Sequence, residues 1–452
     1  MFFLRKAFSA KANLVKFGAG IVAVLLLSLS PVAEAIPSMA RQTGMQCASC
    51  HTVFPELTPF GRQFKLRGYS LSAPKPDDAS WLSQLPVSGL LQVSRTSTRN
   101  TETPGAMPDS FPRDRQVIVQ AAGIYYGGKI TEKSGALIQY NYDGIERRWG
   151  MEMFDARYAD TATVGKELVY GVTLNNNPTV SDIYNSTPAW GFPHTDSAAV
   201  MPAGTVIDMA LASQVGGIGF YGLWDDLVYA ELALYRTAKK GLFRPLGAGV
   251  PTDNVVQGSA PYWRLALQKE MGAHSFSIGT YGMVTRIFLD PNDHSLGADR
   301  FRDVAVDGQY QYIEGDHTFS THATWIRERQ QWNASFAQGL TSNATTNLRT
   351  FRTDAHYWYR RQWGGGVQYF QARGDVDSLR YDTGEAVMGS ANGSPNSKGW
   401  IAELNYLPVQ KVKLALRYTA YQQFNGASSN YDRFGRNARD NNSLFLLAWV
   451  LF

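Results

Sequence analysis

The sequence has only two cysteines in 452 residues. They stand three positions apart, so no framework of disulfides holds this fold. Past the first forty positions it also lacks any run of ~20 apolar residues, which excludes a bundle of membrane-spanning helices. Charge is scarce as well: Asp, Glu, Lys and Arg make up 18%, below the quarter typical of soluble domains. Of the formal excess of +5, three charges belong to residues 1–35, where Arg5, Lys6, Lys11 and Lys16 stand against Glu34. The remainder is nearly balanced, and no nucleic acid is expected as a partner. No hydrolase triad, phosphate loop or paired-carboxylate motif stands out.

Aromatic residues are abundant at 13%, including 23 Tyr and 11 Trp, which excludes a disordered chain. Mean hydropathy is nonetheless slightly negative, at -0.25. Together these leave a soluble all-β protein or an outer-membrane barrel, whose strands are half polar.

Residues 1–35 read as an address. A basic stretch precedes the apolar run from Gly20 to Leu29, and Ala33-Glu34-Ala35 offers the small-x-small pattern of signal cleavage. The run is short for a membrane anchor. The mature chain is expected to begin at Ile36, outside the cytoplasm.

Cys47-Ala48-Ser49-Cys50-His51 follows directly. Two thiols at this spacing can add to the two vinyl groups of one haem, with the adjacent histidine on the iron. A thioredoxin-type pair would need a βαβ context, and zinc would need a second pair of ligands. One covalent haem c on Cys47 and Cys50, with His51 as axial ligand, is the expected cofactor of a module spanning 36–80. Thr58 can cap a short helix with Pro59 at its first position and Gly68 at its end. Leu57, Phe60 and Phe64 then share a face able to cover the porphyrin. Arg41, Arg62, Lys65 and Arg67 are candidate partners for the propionates, or simply a solvated basic face. The sixth ligand stays open among Met39, Met45, Met107, Met151, Met153, His194 and water.

Residues 81–452 are dominated by period two. Val304, Val306, Tyr310 and Tyr312 form one face, and Asp303, Asp307, Gln309 and Gln311 the other. A charged face does not suit a sandwich core but does suit the wet lumen of a barrel. Sixteen such segments can be counted: 86–96, 115–127, 134–143, 151–160, 167–175, 211–224, 227–237, 261–270, 273–288, 303–313, 316–328, 347–359, 362–373, 399–407, 411–422 and 442–452. Short turns such as Asp225-Asp226 and Arg360-Arg361 alternate with long polar connections. The expected fold is therefore all-β: a sixteen-stranded antiparallel outer-membrane barrel carrying a small N-terminal c-type haem module, with both barrel termini periplasmic. Tyr357, Trp358 and Tyr359 suit an interfacial girdle. The aromatic last strand, ending in Phe452, resembles the signal read by the outer-membrane assembly machinery.

The run Pro37-Ser38-Met39-Ala40-Arg41-Gln42-Thr43-Gly44, then the Cys47 to His51 motif, Phe54-Pro55, Leu57, Phe60-Gly61-Arg62, Phe64-Lys65 and Gly68-Tyr69, brings in a family. It resembles the N-terminal module of the fused monohaem cytochrome-porins of iron-oxidising bacteria. The detailed likeness covers residues 37–69; over the barrel it is one of architecture. The resemblance implies an outer-membrane electron conduit of iron(II)-oxidase type. It would accept electrons from an extracellular donor, iron(II) foremost, and pass them to a periplasmic c-type cytochrome. The competing expectation is a porin for ions or small solutes, whose N-terminal module is a plug or redox sensor. Asp290, Asp293 and His294 are candidate donors for surface iron capture, although Asp-Pro-Asn-Asp is also ordinary turn chemistry. His322 and His356 fall on the polar faces of their strands and could line the lumen. The leader predicts a mature protein whose intact mass starts at Ile36; a mass that retains residues 1–35 would overturn that reading.

Overall fold

A computed structural model describes residues 37–52, 56–74, 85–100, 114–186 and 203–452. The leader, the boundary near residue 80, and Phe54, Pro55, Met107 and His194 lie outside the described residues.

Sixteen antiparallel strands close into one barrel, each paired with its sequence neighbours and the first with the last. In chain order, β1 to β16 are Val87–Thr98, Val117–Thr131, Ser134–Asp143, Arg148–Val164, Lys166–Asn175, Val215–Trp224, Val228–Thr237, Ala260–Met271, His274–Phe288, Ala298–Glu314, His317–Gln331, Thr345–Tyr359, Trp363–Gly374, Ser397–Val409, Val412–Gln423 and Ser443–Leu451. One rim carries tight turns. At Asp225, Asp226, Arg360 and Arg361 the backbone has positive φ, the mirror-image turn whose twist matches that of the strands. The start of β1 and the end of β16 lie at this same rim, where Leu90 pairs with Leu451.

The alternation reads inside out relative to a soluble protein. On β10, Val304 and Val306 are 43% and 46% exposed on the outer wall, whereas Asp303, Asp307, Gln309 and Gln311 turn inward and are buried. Ile124, Leu232, Ile278 and Leu404 extend the apolar outer surface around the barrel. Aromatic rings band the short-turn rim, with His274 on Tyr310, His317 on Tyr357 and Trp363 on Tyr406. Tyr357 and Tyr359 face outward as expected, but Trp358 points into the lumen and is buried.

Three strand expectations need correction. The sixth strand starts at Val215 rather than 211, because Leu211 belongs to a segment packed against Tyr235, Tyr262 and Tyr281. Its apolar side chain mimics a strand residue. The tenth starts at Ala298 rather than 303, since Asp299 and Phe301 face inward while the charged Arg302 takes the outer side. The fourth runs to seventeen residues, Arg148–Val164, and contains a bulge.

Among the described residues, part of the chain itself enters the lumen. Helices α1 (Pro37–Thr43), α2 (Cys47–Cys50) and α3 (Pro59–Leu66) form an N-terminal plug. Residues 176–186, with the short helix α4 (Pro178–Ser181), turn inward beside it, and all but Asn185 are buried. The expectation that charged inner faces border water is therefore corrected beside the plug, where several of those charges pair off in the interior, although Asp303 faces a second carboxylate, Glu328. Arg264 Nη2 donates to Asp307 Oδ2 at 2.6 Å and to Ser186 Oγ at 3.0 Å. On β4, Asp155 is fully buried and accepts from Arg157 Nε at 2.8 Å, Thr173 Oγ1 at 2.9 Å and the plug's Tyr69 hydroxyl at 2.6 Å. Lys65 of α3 lies 3.7 Å from the same carboxylate.

Asp155 thus holds plug and wall together, and removing it strands two buried cations. Asp155→Ala should lower stability by about 3–5 kcal/mol and expose the plug to protease. Glu167→Ala, which cuts only the half-exposed pair with Arg67, should change the melting of the detergent-solubilised protein little. Equal effects of the two substitutions would contradict this anchoring.

Candidate functional site

The motif is held by local chemistry that the sequence announced. Thr58 caps α3: its Oγ1 accepts from the Gly61 N–H at 3.1 Å and donates to the Ser49 carbonyl at 2.6 Å. Pro59 occupies the first turn of α3. Gly68 ends it with φ of +67°, a left-handed position that glycine adopts without strain. At Gly61 the reason for glycine is contact. A Cβ there would lie 2.2 Å from the Cys50 carbonyl oxygen, so α3 and the motif touch backbone to backbone.

A cavity lies between this plug and the barrel wall. Its empty space is about 1120 Å³ when the open solvent at its mouth is included. Cys47, Cys50 and His51 line it together with Leu57, Phe64 and Lys65 from the plug. The wall contributes Tyr125, Leu137, Gln139, Met153, Trp449 and Leu451, and the inward segment contributes Val180, Asp182 and Asn185. Asn185 also ties the plug in place, its Oδ1 accepting from the Leu57 N–H at 3.1 Å.

The donor set fits a covalent haem. Cys47 and Cys50 are not joined by a disulfide. Burial pushes the Cys50 thiol up to about 11, the reverse of an activated redox thiolate. Most of the lining is apolar, as a porphyrin requires. Its polar members include Lys65, Asp182 and Asn185, and on the barrel wall Gln139. The Gln139 side chain is fully buried, and neither end of its amide makes a hydrogen bond of good geometry, with only the Tyr125 hydroxyl beside it. An unmet buried donor or acceptor costs about 1–3 kcal/mol, so a polar or metal-bearing occupant would relieve this wall.

Of the four bases expected near the propionates, Lys65 alone lines the cavity. Arg62 instead crosses to β9 and β10, donating to Ser275 Oγ at 2.9 Å and Gln311 Oε1 at 3.0 Å. Arg67 pairs with Glu167, and Arg41 donates to the carbonyls of Leu85 and Val87. Burial first, then the neighbouring Arg157, pull the Lys65 ammonium down to about 8. Its Nζ donates to the Val180 carbonyl. Phe60 does not share the lining that Leu57 and Phe64 provide. Among the candidates for a sixth ligand, Met39, Met45 and Met153 line the cavity, whereas Met151 does not.

The remaining candidates sit elsewhere. Asp290 Oδ1 accepts from the Asn292 and Asp293 N–H groups, and Asp293 Oδ1 from Ser295. The His294 ring stacks on Phe288 at 3.9 Å. Each is thus engaged in shaping its turn, and among the described residues no group of three or more His, Cys, Asp or Glu is placed to hold a metal ion. His322 and His356 do face the lumen. His322 lies between Asp354, at 2.8 Å, and Glu56 of the plug, at 3.3 Å. Sequence reasoning missed Glu56, Tyr69 and Asp155 as plug anchors, because their partners are distant in the chain.

No family model and no curated relative matches the chain. Among solved structures its outline is similar to Salmonella typhi OmpF in complex with daunomycin, at 12% identity over 81% of this chain and 97% of that one, with a TM-score of 0.46. It is similar also to the in-vitro folded trimer form of OmpT, an outer membrane protein of Vibrio cholerae, at 8% identity, 81% and 98% coverage and 0.43. A third is the outer membrane channel DcaP of Acinetobacter baumannii, at 10% identity, 81% and 96% coverage and 0.43. The likeness is one of outline.

The backbone contact at Gly61 yields a direct test. In protein made without haem, Gly61→Ala should push α3 off Cys50 and speed its alkylation by a maleimide. Gly204→Ala, with open space around its Cβ, should leave the rate unchanged. An unaltered rate in Gly61→Ala would show that α3 does not guard the motif.

Proposed function

We propose that this chain spans a bacterial outer membrane and carries one covalent haem inside its lumen, serving as an electron conduit. Electrons would pass from an extracellular donor, iron(II) foremost, to a periplasmic cytochrome. The observation that carries this reading is the cavity where Cys47, Cys50 and His51 meet the barrel wall. An apolar outer surface with an aromatic band suits a lipid surround, and on that frame the tight-turn rim is the periplasmic one. A haem bound there would supply one-electron chemistry between ferrous and ferric iron.

The chain's own residues have limited tasks. Cys47 and Cys50 would hold the haem through thioethers formed by addition of their thiols to its two vinyl groups, and His51 would supply an imidazole nitrogen to the iron. Leu57 and Phe64, which line the cavity, would keep water from it. No acid or base is needed, because an outer-sphere electron asks for proximity and potential.

A second reading has its own support. Sixteen strands are the architecture of an open diffusion channel, and the barrel by itself argues for nothing more specific. Against it stand the inward segment 176–186 and the paired charges beside it, which occupy the space an aqueous path would use.

Two measurements separate these readings. Replacing Cys47 and Cys50 with alanine should abolish haem staining on a denaturing gel, since only thioether bonds survive denaturation. In sealed vesicles loaded with an oxidised acceptor, iron(II) added outside should reduce the haem and then the acceptor, without free ion flux. A protein that never stains, or that passes ions while its haem stays oxidised, belongs to the channel reading.

A further inference from the structure

From the same cavity we infer that Met153, on the barrel wall, is the sixth ligand of the haem iron. The inference rests on the haem reading above and names the residue that completes the site. Its consequence is mechanical as well as electronic: iron would join the plug, through His51, to the barrel, through Met153.

Three observations lead here. The first is elimination among the iron donors on the lining. Lys65 is held by the Val180 carbonyl and by Asp155. Tyr69 donates to Asp155 at 2.6 Å. Asp182 is spent on the N–H groups of Tyr184 and Ser186. Met39 and Met45 belong to the plug itself, the first on α1 and the second just before Cys47. Met45 is also 39% exposed. Met153 comes from a different element, β4, and its thioether, a weak acceptor, is not consumed by hydrogen bonding.

The second is a backbone device. β3 and β4 keep register until Gln139, opposite Met153; the next pair is Tyr140 with Met151, so Glu152 is an extra residue on β4. Such a bulge re-aims side chains and is common beside functional sites. Here Met153 keeps the inward phase of the buried Asp155 and Arg157, opposite Gln139, while the bulge takes Met151 out of that phase and opposite Tyr140, which is 37% exposed.

The third is chemical fit. Thioether sulfur suits iron in a haem, and methionine opposite histidine raises the reduction potential. A site that takes electrons from a donor as weak as iron(II) needs a high potential.

The test is spectroscopic and uses full-length, haem-loaded protein in detergent. The ferric protein should show the far-red sulfur-to-iron charge-transfer band. Met153→Leu should lose that band, turn high-spin and move to a lower potential while still staining for covalent haem. Met39→Leu and Met45→Leu should keep the band. Where the leucine variant fails to fold, Met153→His should give a low-spin spectrum with two imidazoles and no sulfur band. An unchanged spectrum in either Met153 variant, or loss of the band in Met39→Leu or Met45→Leu, overturns the assignment and leaves the haem reading intact. Wild-type protein without covalent haem overturns both.

Discussion

A closed sheet of sixteen strands encloses more space than its own inward side chains can fill, and the rest of this structure follows from how that space is occupied. An open lumen would keep its charges hydrated. Here much of it is packed by residues 37–52, 56–74 and 176–186, so a charge on the adjoining wall needs a partner inside. Buried ions without partners cost several kcal/mol each. The pairs Arg157 with Asp155, and Arg264 with Asp307 and Asp182, are therefore conditions for the plug to sit where it does. They also fix its register: Tyr69 and Lys65 both meet Asp155, and Tyr221 donates its hydroxyl to the Leu66 carbonyl at 2.7 Å.

The plug has no independent core to speak of. Fewer than about 40 residues seldom bury enough surface to fold alone, and most of what covers Cys47 comes from Leu90, Tyr125, Leu447 and Trp449 of the wall. The cavity is shared in the same way, lined for the larger part by the plug and for the rest by the barrel strands and the inward segment. Anything that binds across such a boundary favours the docked state by mass action, so cofactor binding and plug docking would reinforce each other.

The barrel was legible because its period is local. A strand with Val304 and Val306 on one side and Asp303 and Asp307 on the other declares two unlike environments, whichever is inside. The helix from Pro59 was equally legible through Thr58 and Gly68, whose roles depend on neighbours four residues away. What could not be read were contacts with no local signature. Glu56 meets Gln311 at 3.0 Å and Ser320 at 3.0 Å, across more than 250 positions, and nothing near Glu56 announces it. Charge on an inner face likewise looks the same whether it borders water or a buried partner, which is why a wet lumen was expected where a packed one is found. Leu211 misled for the converse reason, an apolar residue in a lumen segment having the same look as one in a strand.

The pairing of lumen charges bears on the choice between channel and conduit. A channel selects ions with charges left free to act on what passes. At the level of residues 176–186 several charges are paired in place: Arg264 and Asp307 lie 2.6 Å apart, and Arg352 forms an ion pair with Asp208. Neutral pairs have weak fields at a distance, so this region offers little selectivity and little room. A packed, low-dielectric surround instead disfavours the gain of charge at a buried metal and so holds its reduction potential up. The same filling would narrow a pore, and under the proposed haem reading it would suit a centre that draws electrons from a weak reductant.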